Sequence, residues 1–274
     1  MLRLAACLLA LGVLATPSAR AHSTHLPEGP VRVWQAVMAH ASRDARVDAA
    51  RLEGITRIGT APVRIWLDWD EIHGGTRLGW QAVDRPVDAP AVQAWLRQVA
   101  RSAAATPRPH GDCLARLPGD GARCTDTADI AADLLAGAMC GDDEAMLALL
   151  ADCARRGHAG AMIRLSQMYE SGTGLPRRPE RATAWLARAA RAHTPGYRLT
   201  GMTLFATALY FGVGIAPDRP AALELFRQAA AQGDADAAEF LRTGTHHAWR
   251  RADGRAFADP AFIPARPRSQ TPDQ

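Results

Sequence analysis

No lysine occurs in the 274 residues; all 32 basic side chains are arginine. Chemistry that needs a primary amine on a side chain is thereby excluded: the lysine of a phosphate-binding loop, Schiff-base catalysis and Ser-x-x-Lys acyl transfer. The sequence also lacks a Gly-x-Ser-x-Gly elbow, a His-Glu-x-x-His pair and a Gly-x-Gly-x-x-Gly turn after a strand. Paired Cys-x-x-Cys motifs of the kind that build zinc sites are missing. No reaction is legible, so the chain reads as a non-enzyme with no cofactor.

Long apolar runs are missing too, except at the start. There Arg3 precedes an apolar run from Leu4 to Thr16, and Ala19-Arg20-Ala21 gives the small-x-small pattern of a secretory cleavage site. That run is shorter than the roughly 20 residues a spanning helix needs. Residues 1–21 are therefore expected to be a signal peptide cut before His22, delivering the rest to the periplasm or beyond with no transmembrane segment. Without Arg3 and Arg20 the mature chain has 30 basic and 28 acidic residues, a net charge of +2. Such a balance gives no electrostatic footprint for nucleic acid.

What the sequence does contain is a repeat. AMIRLSQMYESGTGL from Ala161 is echoed forty residues later by GMTLFATALYFGVGI from Gly201. Met162 meets Met202, Leu165 meets Phe205, Gly172 and Gly174 meet Gly212 and Gly214, and Leu175 meets Ile215. The register continues with Ala182, Trp185, Leu186, Ala189 and Ala190 on Ala222, Leu225, Phe226, Ala229 and Ala230. This is the i, i+3, i+4, i+7, i+8 spacing of one buried helical stripe. Each unit is helix, Gly-rich turn, helix, with Pro176 and Pro179 blocking continuation of the first helix. Glu180 and Pro220 sit where the second helices begin. Tyr169, Trp185 and Phe226 read as core, and a unit that cannot bury its own face must stack on a neighbour.

A third copy of the joint precedes these two: CARRGHAGA from Cys153 matches AAAQGDADA from Ala229, each ending on the alanine of the next helix. The small-residue start, Tyr169 three residues before Gly172, the Gly-x-Gly-hydrophobic turn and this joint resemble the Sel1-like repeat family, relatives of the tetratricopeptide repeats. The resemblance covers roughly residues 128–243. It departs from the family at Cys140-Gly141-Asp142, where the long turn is lacking, and near His193-Thr194-Pro195-Gly196, where residues are added. It implies a mostly α chain, an α/α solenoid, working as an adaptor, scaffold or inhibitor of a partner protein, including immunity-type inhibition of toxic effectors in some members. On the first helix of each unit Arg164, Gln167, Thr203, Thr207 and Tyr210 fall off the buried stripes and are the candidate partner contacts.

Ahead of the repeats a small α+β module is expected over residues 22–110. Val31 to Glu53 reads as helix, Val63, Ile65, Leu67 and Trp69 alternate as a strand, Gly74-Gly75 turns, Arg77 to Val83 returns, and Ala89 to Ala103 is helical. The Pro-rich stretch around Pro107 and Pro109 separates it from a repeat domain over residues 111–248. A Pro- and Arg-rich tail, 249–274, reads as disordered beyond Pro264, with Trp249, Phe257 and Phe262 available to cover the last repeat.

Four cysteines follow the leader, and an even count in an exported chain predicts two disulfides. If 128–139 and 143–156 form a tight helical hairpin, Cys140 and Cys153 lie about ten residues apart at about 1.5 Å each, beyond the roughly 7 Å a disulfide allows. Cys124 with Cys153 and Cys113 with Cys140 are then preferred; the loop CLARLPGDGARC offers Cys113 with Cys124 as the rival.

Other residues offer ligands. Asp68 and Asp70 would share a strand face near Glu71 and His73, able to hold a cation or house an enzyme's site in the N-terminal module; the same alternation is what a solvated strand face shows. An N-terminal His22 with His25 offers copper ligands. His246-His247 reads as a helix-end pair. Cell-wall binding is a further alternative, suggested by the resemblance to envelope-associated cysteine-containing relatives. Produced in a Gram-negative host, the protein is expected in the periplasmic fraction with His22 as its first residue by N-terminal sequencing; a cytoplasmic chain starting at Met1 would overturn the leader.

Overall fold

Alternating side chains decide the architecture of the first third. In strand β4, Ala61–Trp69, the residues Ala61, Val63, Ile65, Leu67 and Trp69 are buried while the intervening ones are wholly or partly open. The computed structural model describes residues 21–106, 124, 143–193, 197–251 and 253–264. The leader through residue 20, Cys113, Cys140, the expected helix 128–139, Thr194–Gly196 and the tail past Pro264 lie outside the described residues.

Around β4 an antiparallel sheet forms in the order β1-β5-β4-β3-β2, from β1 His22–Leu26, β2 Arg46–Asp48, β3 Glu53–Ile58 and β5 Thr76–Ala82. The Gly74-Gly75 turn returns β5 onto β4 with Ile65 opposite Trp80 and Leu67 opposite Leu78. Helices α1, Pro30–Ala39, and α2, Ala89–Ala105, pack together over the apolar face. Val33 and Val37 of α1 and Val92 and Val99 of α2 meet Val63, Ile65, Leu67 and Leu78 in one core. The Asp88 carboxylate caps α2 by accepting from the Ala91 N–H at 3.1 Å.

The helix expected from Val31 to Glu53 is shorter than its sequence pattern. It ends at Ala39, and the remainder turns back into β2 and β3. Tertiary partners explain the break. The Trp95 indole donates to the His40 carbonyl at 3.1 Å, and the Thr56 hydroxyl accepts the Ser42 N–H at 2.9 Å. These bonds from α2 and β3 hold the helix end open against the helix-favouring alanines that follow. The expected helix from Ala89 and the strand pair about Gly74-Gly75 are both present, while β1 went unread in the sequence.

The repeats form α3 Asp143–Arg155, α4 Ala159–Ser171, α5 Pro179–Ala189, α6 Arg198–Phe211, α7 Arg219–Ala231 and α8 Ala235–Thr243. Each helix packs on the next in chain order, α4 with α5 and α6 with α7 being the hairpins read in the sequence, and α8 closes the series. Gly172 and Gly212 end α4 and α6 in the left-handed conformation at φ 79° and 73°. Gly214, at φ 64°, comes so close to the Pro179 carbonyl that a Cβ there would collide with it. The second Gly of the motif thus permits one repeat to lie on the next.

Tyr169, Trp185 and Phe226 are buried as expected. Phe240 of α8 stacks on Phe226 at 3.9 Å between ring centres and meets Tyr210 edge-on at 5.1 Å. Beyond α8 the chain forms an antiparallel hairpin, β6 Thr245–Arg250 with β7 Ala256–Ala258, so a strand crosses the boundary expected at residue 248. Cys124 is bonded to Cys153, their Cα atoms 5.4 Å apart. Replacing Phe240 by alanine is expected to cost about 3–5 kcal/mol of unfolding free energy, read as a lowered midpoint in urea denaturation; an unchanged midpoint would refute the tight stacking of the last repeat.

Candidate functional site

Three of the five candidate contacts are buried. Arg164 and Gln167 are exposed on α4, one turn apart, with the guanidinium donating to the Gln167 side-chain oxygen at 3.4 Å. Thr203, Thr207 and Tyr210 of α6 are between 0% and 4% exposed and cannot contact a partner. Each has its own internal partner. The Thr203 hydroxyl donates to Asp234 at 3.0 Å, and the Tyr210 hydroxyl donates to Asp259 at 2.7 Å. Burial and that carboxylate push the Tyr210 phenol up to about 12, and the same hydrogen bond leads in lowering Asp259.

Thr207 is tied to His246. Its hydroxyl donates to the Thr203 carbonyl at 2.9 Å and lies 2.6 Å from His246 Nδ1; with its one proton spent, it accepts from Nδ1–H. The His246-His247 pair therefore does not end a helix. Helix α8 stops at Gly244, and both histidines lie on β6, with His246 turned into the interior. The C-terminal hairpin occupies the wall of α6 that the repeat pattern alone leaves open. The spacing of Thr203, Thr207 and Tyr210 at i, i+4 and i+7 was the available signal, since it is itself a buried-stripe spacing.

The acidic stretch before Gly74 does other work. Asp68 is ion-paired to Arg178 at 3.6 Å and to Arg181 at 3.5 Å. Asp70 lies past the end of β4 and so does not share its face; it accepts the backbone N–H groups of Ile72 and His73 at 3.0 Å each. The His73 N–H leads in holding the Asp70 carboxyl down to about 2. Glu71 reaches across to the repeats, where Oε1 accepts the Tyr169 hydroxyl at 2.5 Å and the Trp185 indole N–H at 3.4 Å. Burial first, then the Glu71 charge, pushes the Tyr169 phenol far up. Arg178 adds hydrogen bonds to the carbonyls of Arg51 and Leu67 at 3.1 Å each. The cluster is a junction between sheet and repeats, and Trp69 from its base is part of the first repeat's core.

Beside this junction is a cleft of about 370 Å³, bounded by Trp69 and the Asp70–Ile72 turn on one side and by Arg181, Ala184, Trp185 and Arg188 of α5 on the other. The Arg188 guanidinium lies 4.1 Å from the Trp185 ring centre. A cleft of comparable size, about 360 Å³, runs between β1 and α2. There the His22 ring stacks on Trp80 at 4.4 Å, and His25 is hydrogen-bonded to the Gly74 carbonyl at 2.9 Å. Among the described residues no three His, Cys, Asp or Glu side chains are grouped to hold a metal ion, and no helix is long and apolar enough to cross a membrane.

Comparison with known proteins follows the same division. The Sel1 repeat family model matches residues 159–193 and 202–234. A Sel1 repeat protein from Oxalobacter formigenes is similar at 26% identity, over 44% of this chain and 91% of that one, with a TM-score of 0.38. Cysteine rich protein B of Helicobacter pylori is similar at 16% identity, over 43% of this chain and 86% of that one, with a TM-score of 0.37. No curated protein matches the chain.

The His246 contact carries a pH dependence. Burial holds its pKa below the ordinary 6.5, with Asp234 and Asp236 opposing and His247 reinforcing the shift. Between the lowered value and 6.5 the folded chain binds fewer protons than the unfolded one. The stabilisation is therefore full above that window and is lost as pH falls through it. Urea midpoints at pH 7.5 and pH 5 are expected to differ more in the native protein than in His246→Gln; equal differences would refute the buried neutral imidazole.

Proposed function

We propose, from the Sel1 repeat match over residues 159–193 and 202–234, that this chain is an exported protein-binding module that holds a folded partner against the outward side of α4. Repeats of this kind serve as protein-interaction scaffolds, and stacked helical pairs offer a rigid surface that loses little entropy when a partner docks. The observation that carries the reading is the division along the first helices of the two units. Arg164 and Gln167 stay exposed on α4, whereas the equivalent wall of α6 is covered by the chain's own C-terminal hairpin. This division supports a partner surface on the first matched repeat. An arginine and an amide one turn apart suit a polar or acidic protein surface.

Two features support export. The first residues have the form of a cleavable leader, and Cys124 and Cys153 are joined in a disulfide, a bond that persists in oxidising compartments. In that setting the sharper form of the proposal is an inhibitor that blocks an effector enzyme by occupying its surface, in the manner of an immunity protein. A photo-crosslinking residue at position 164 or 167, tested in intact cells, is expected to give a discrete protein adduct that is absent when the same residue stands at exposed position 227 on α7. No adduct at 164 and 167, or the same adduct at 227, would refute the α4 surface.

A further inference from the structure

The cleft beside the junction contains a cation, Arg188, that is ion-paired to no carboxylate among the described residues. Arg188 is exposed on α5, its guanidinium laid over Trp185 at 4.1 Å. No carboxylate among the described residues lies within ion-pairing distance of it. Arg77 stands on the opposite side, its side chain 55% exposed and sharing one oxygen of Asp70 at 3.5 Å. The acidic groups nearby are already engaged. Asp70 is held by two backbone N–H groups, by His73 at 3.1 Å and by Arg77. Glu71 serves Tyr169, Trp185 and, at 3.8 Å, Arg181. Between the two outer arginines lies apolar surface: Ile72, 74% exposed on its turn, with Ala184 and the floor of Trp185.

We infer that this cleft binds the C-terminal carboxylate of a partner polypeptide, with Arg188 taking the carboxylate and the last residue's apolar side chain lying against Ile72, Ala184 and Trp185. The chemistry narrows the ligand in three steps. A guanidinium held over an indole by its cationic carbon keeps its N–H groups free to donate to the two oxygens of a carboxylate. A single negative charge fits because the cleft's three arginines, Arg77, Arg181 and Arg188, exceed its two carboxylates, Asp70 and Glu71, by one. A chain terminus fits better than an internal Asp or Glu because its carboxylate and its side chain leave the same Cα. One residue then meets both the cation and the apolar wall, whereas an internal acidic residue carries its charge at the end of the side chain that would have to fill the wall. The volume lies within the roughly 300–1,000 Å³ usual for small-ligand clefts. This inference rests on the reading of the chain as a protein-binding module and adds a second contact, away from Arg164 and Gln167, that fixes how the partner's end is held.

The test uses the whole processed chain and three probes: acetyl-Ala-Ala-Leu with a free carboxylate, the same peptide as its C-terminal amide, and acetyl-Ala-Glu-Leu-amide. Binding is followed through the indole N–H signal of Trp185, identified by its loss in Trp185→Phe, and by calorimetry. The free acid is expected to shift that signal and to bind at least about tenfold more tightly than either amide. Arg188→Gln, an exposed change that leaves the fold intact by circular dichroism, is expected to reduce the acid to the level of its amide, while Arg227→Gln has no effect. Acid and amide binding alike, the internal Glu peptide matching the free acid, or no response to the acid at 10 mM would each overturn the assignment. Because crosslinking from positions 164 and 167 does not involve the cleft, its success beside a failed peptide titration would sink this inference and leave the α4 surface standing; the opposite pair of results would do the reverse.

Discussion

The bond from the buried Tyr169 hydroxyl to Glu71 is the tie on which the rest of the arrangement depends. A phenol inside a helical repeat is an apolar filler with one polar atom that must be satisfied, and leaving it unsatisfied costs about 1–3 kcal/mol. No group in its own repeat meets that need with a carboxylate; the acceptor comes from the turn after β4, 98 residues earlier in the chain. Once Glu71 is drawn there, the surrounding geometry follows. Trp69 enters the core of the repeat, Arg181 settles between Asp68 and Glu71, and Arg178 reaches two carbonyls of the sheet module. Guanidinium suits this place because one planar group can donate in several directions at once, which an ammonium on a flexible stem does less well.

The same constraint operates at the other end. Helix α6 carries a stripe of hydroxyls into its interior, and each is answered from later in the chain by Asp234, His246 or Asp259. The repeats are thus tied to non-repeat structure at α4 and α5 and again at α6 through polar bonds, in addition to apolar packing. Such networks are demanding because every member must find its partner in a medium of low dielectric constant. They also fix where the repeats stop and what part of them stays available. Arg164 and Gln167 stay exposed outside both networks.

The helical hairpins were legible in the sequence because their signal is local and repeated: a stripe at helical spacing, a left-handed glycine at each turn, and the same joint of small residues. The β4 strand was legible for a similar reason, since alternation along nine residues is a pattern no neighbour needs to supply. Where the reading failed, the deciding partner was distant. Alanine-rich 45–50 continues a helix by propensity, but Trp95 and Thr56 end it from elsewhere in the fold. Asp70 looked like a strand residue and became a turn cap. Thr207 and Tyr210 looked like surface because their partners, His246 and Asp259, belong to a C-terminal segment with no repeat signature of its own, and Thr203 because its partner Asp234 lies 31 residues on, at the start of α8. Of the candidate contacts read in the sequence only Arg164 and Gln167 are exposed; the cleft at Arg188 and Ile72 is assembled from two segments more than a hundred residues apart and has no sequence signature.

The hairpin after α8 has one more consequence. A helical array grows by offering its last layer to another, and the same exposed layer can be met by a second molecule. Here Phe262 lies against Gly244 at the foot of α8, and its ring meets Phe240 edge-on at 5.6 Å, in the space an added layer would take. The hairpin therefore caps the last described layer, and head-to-tail stacking of another array onto that face is blocked.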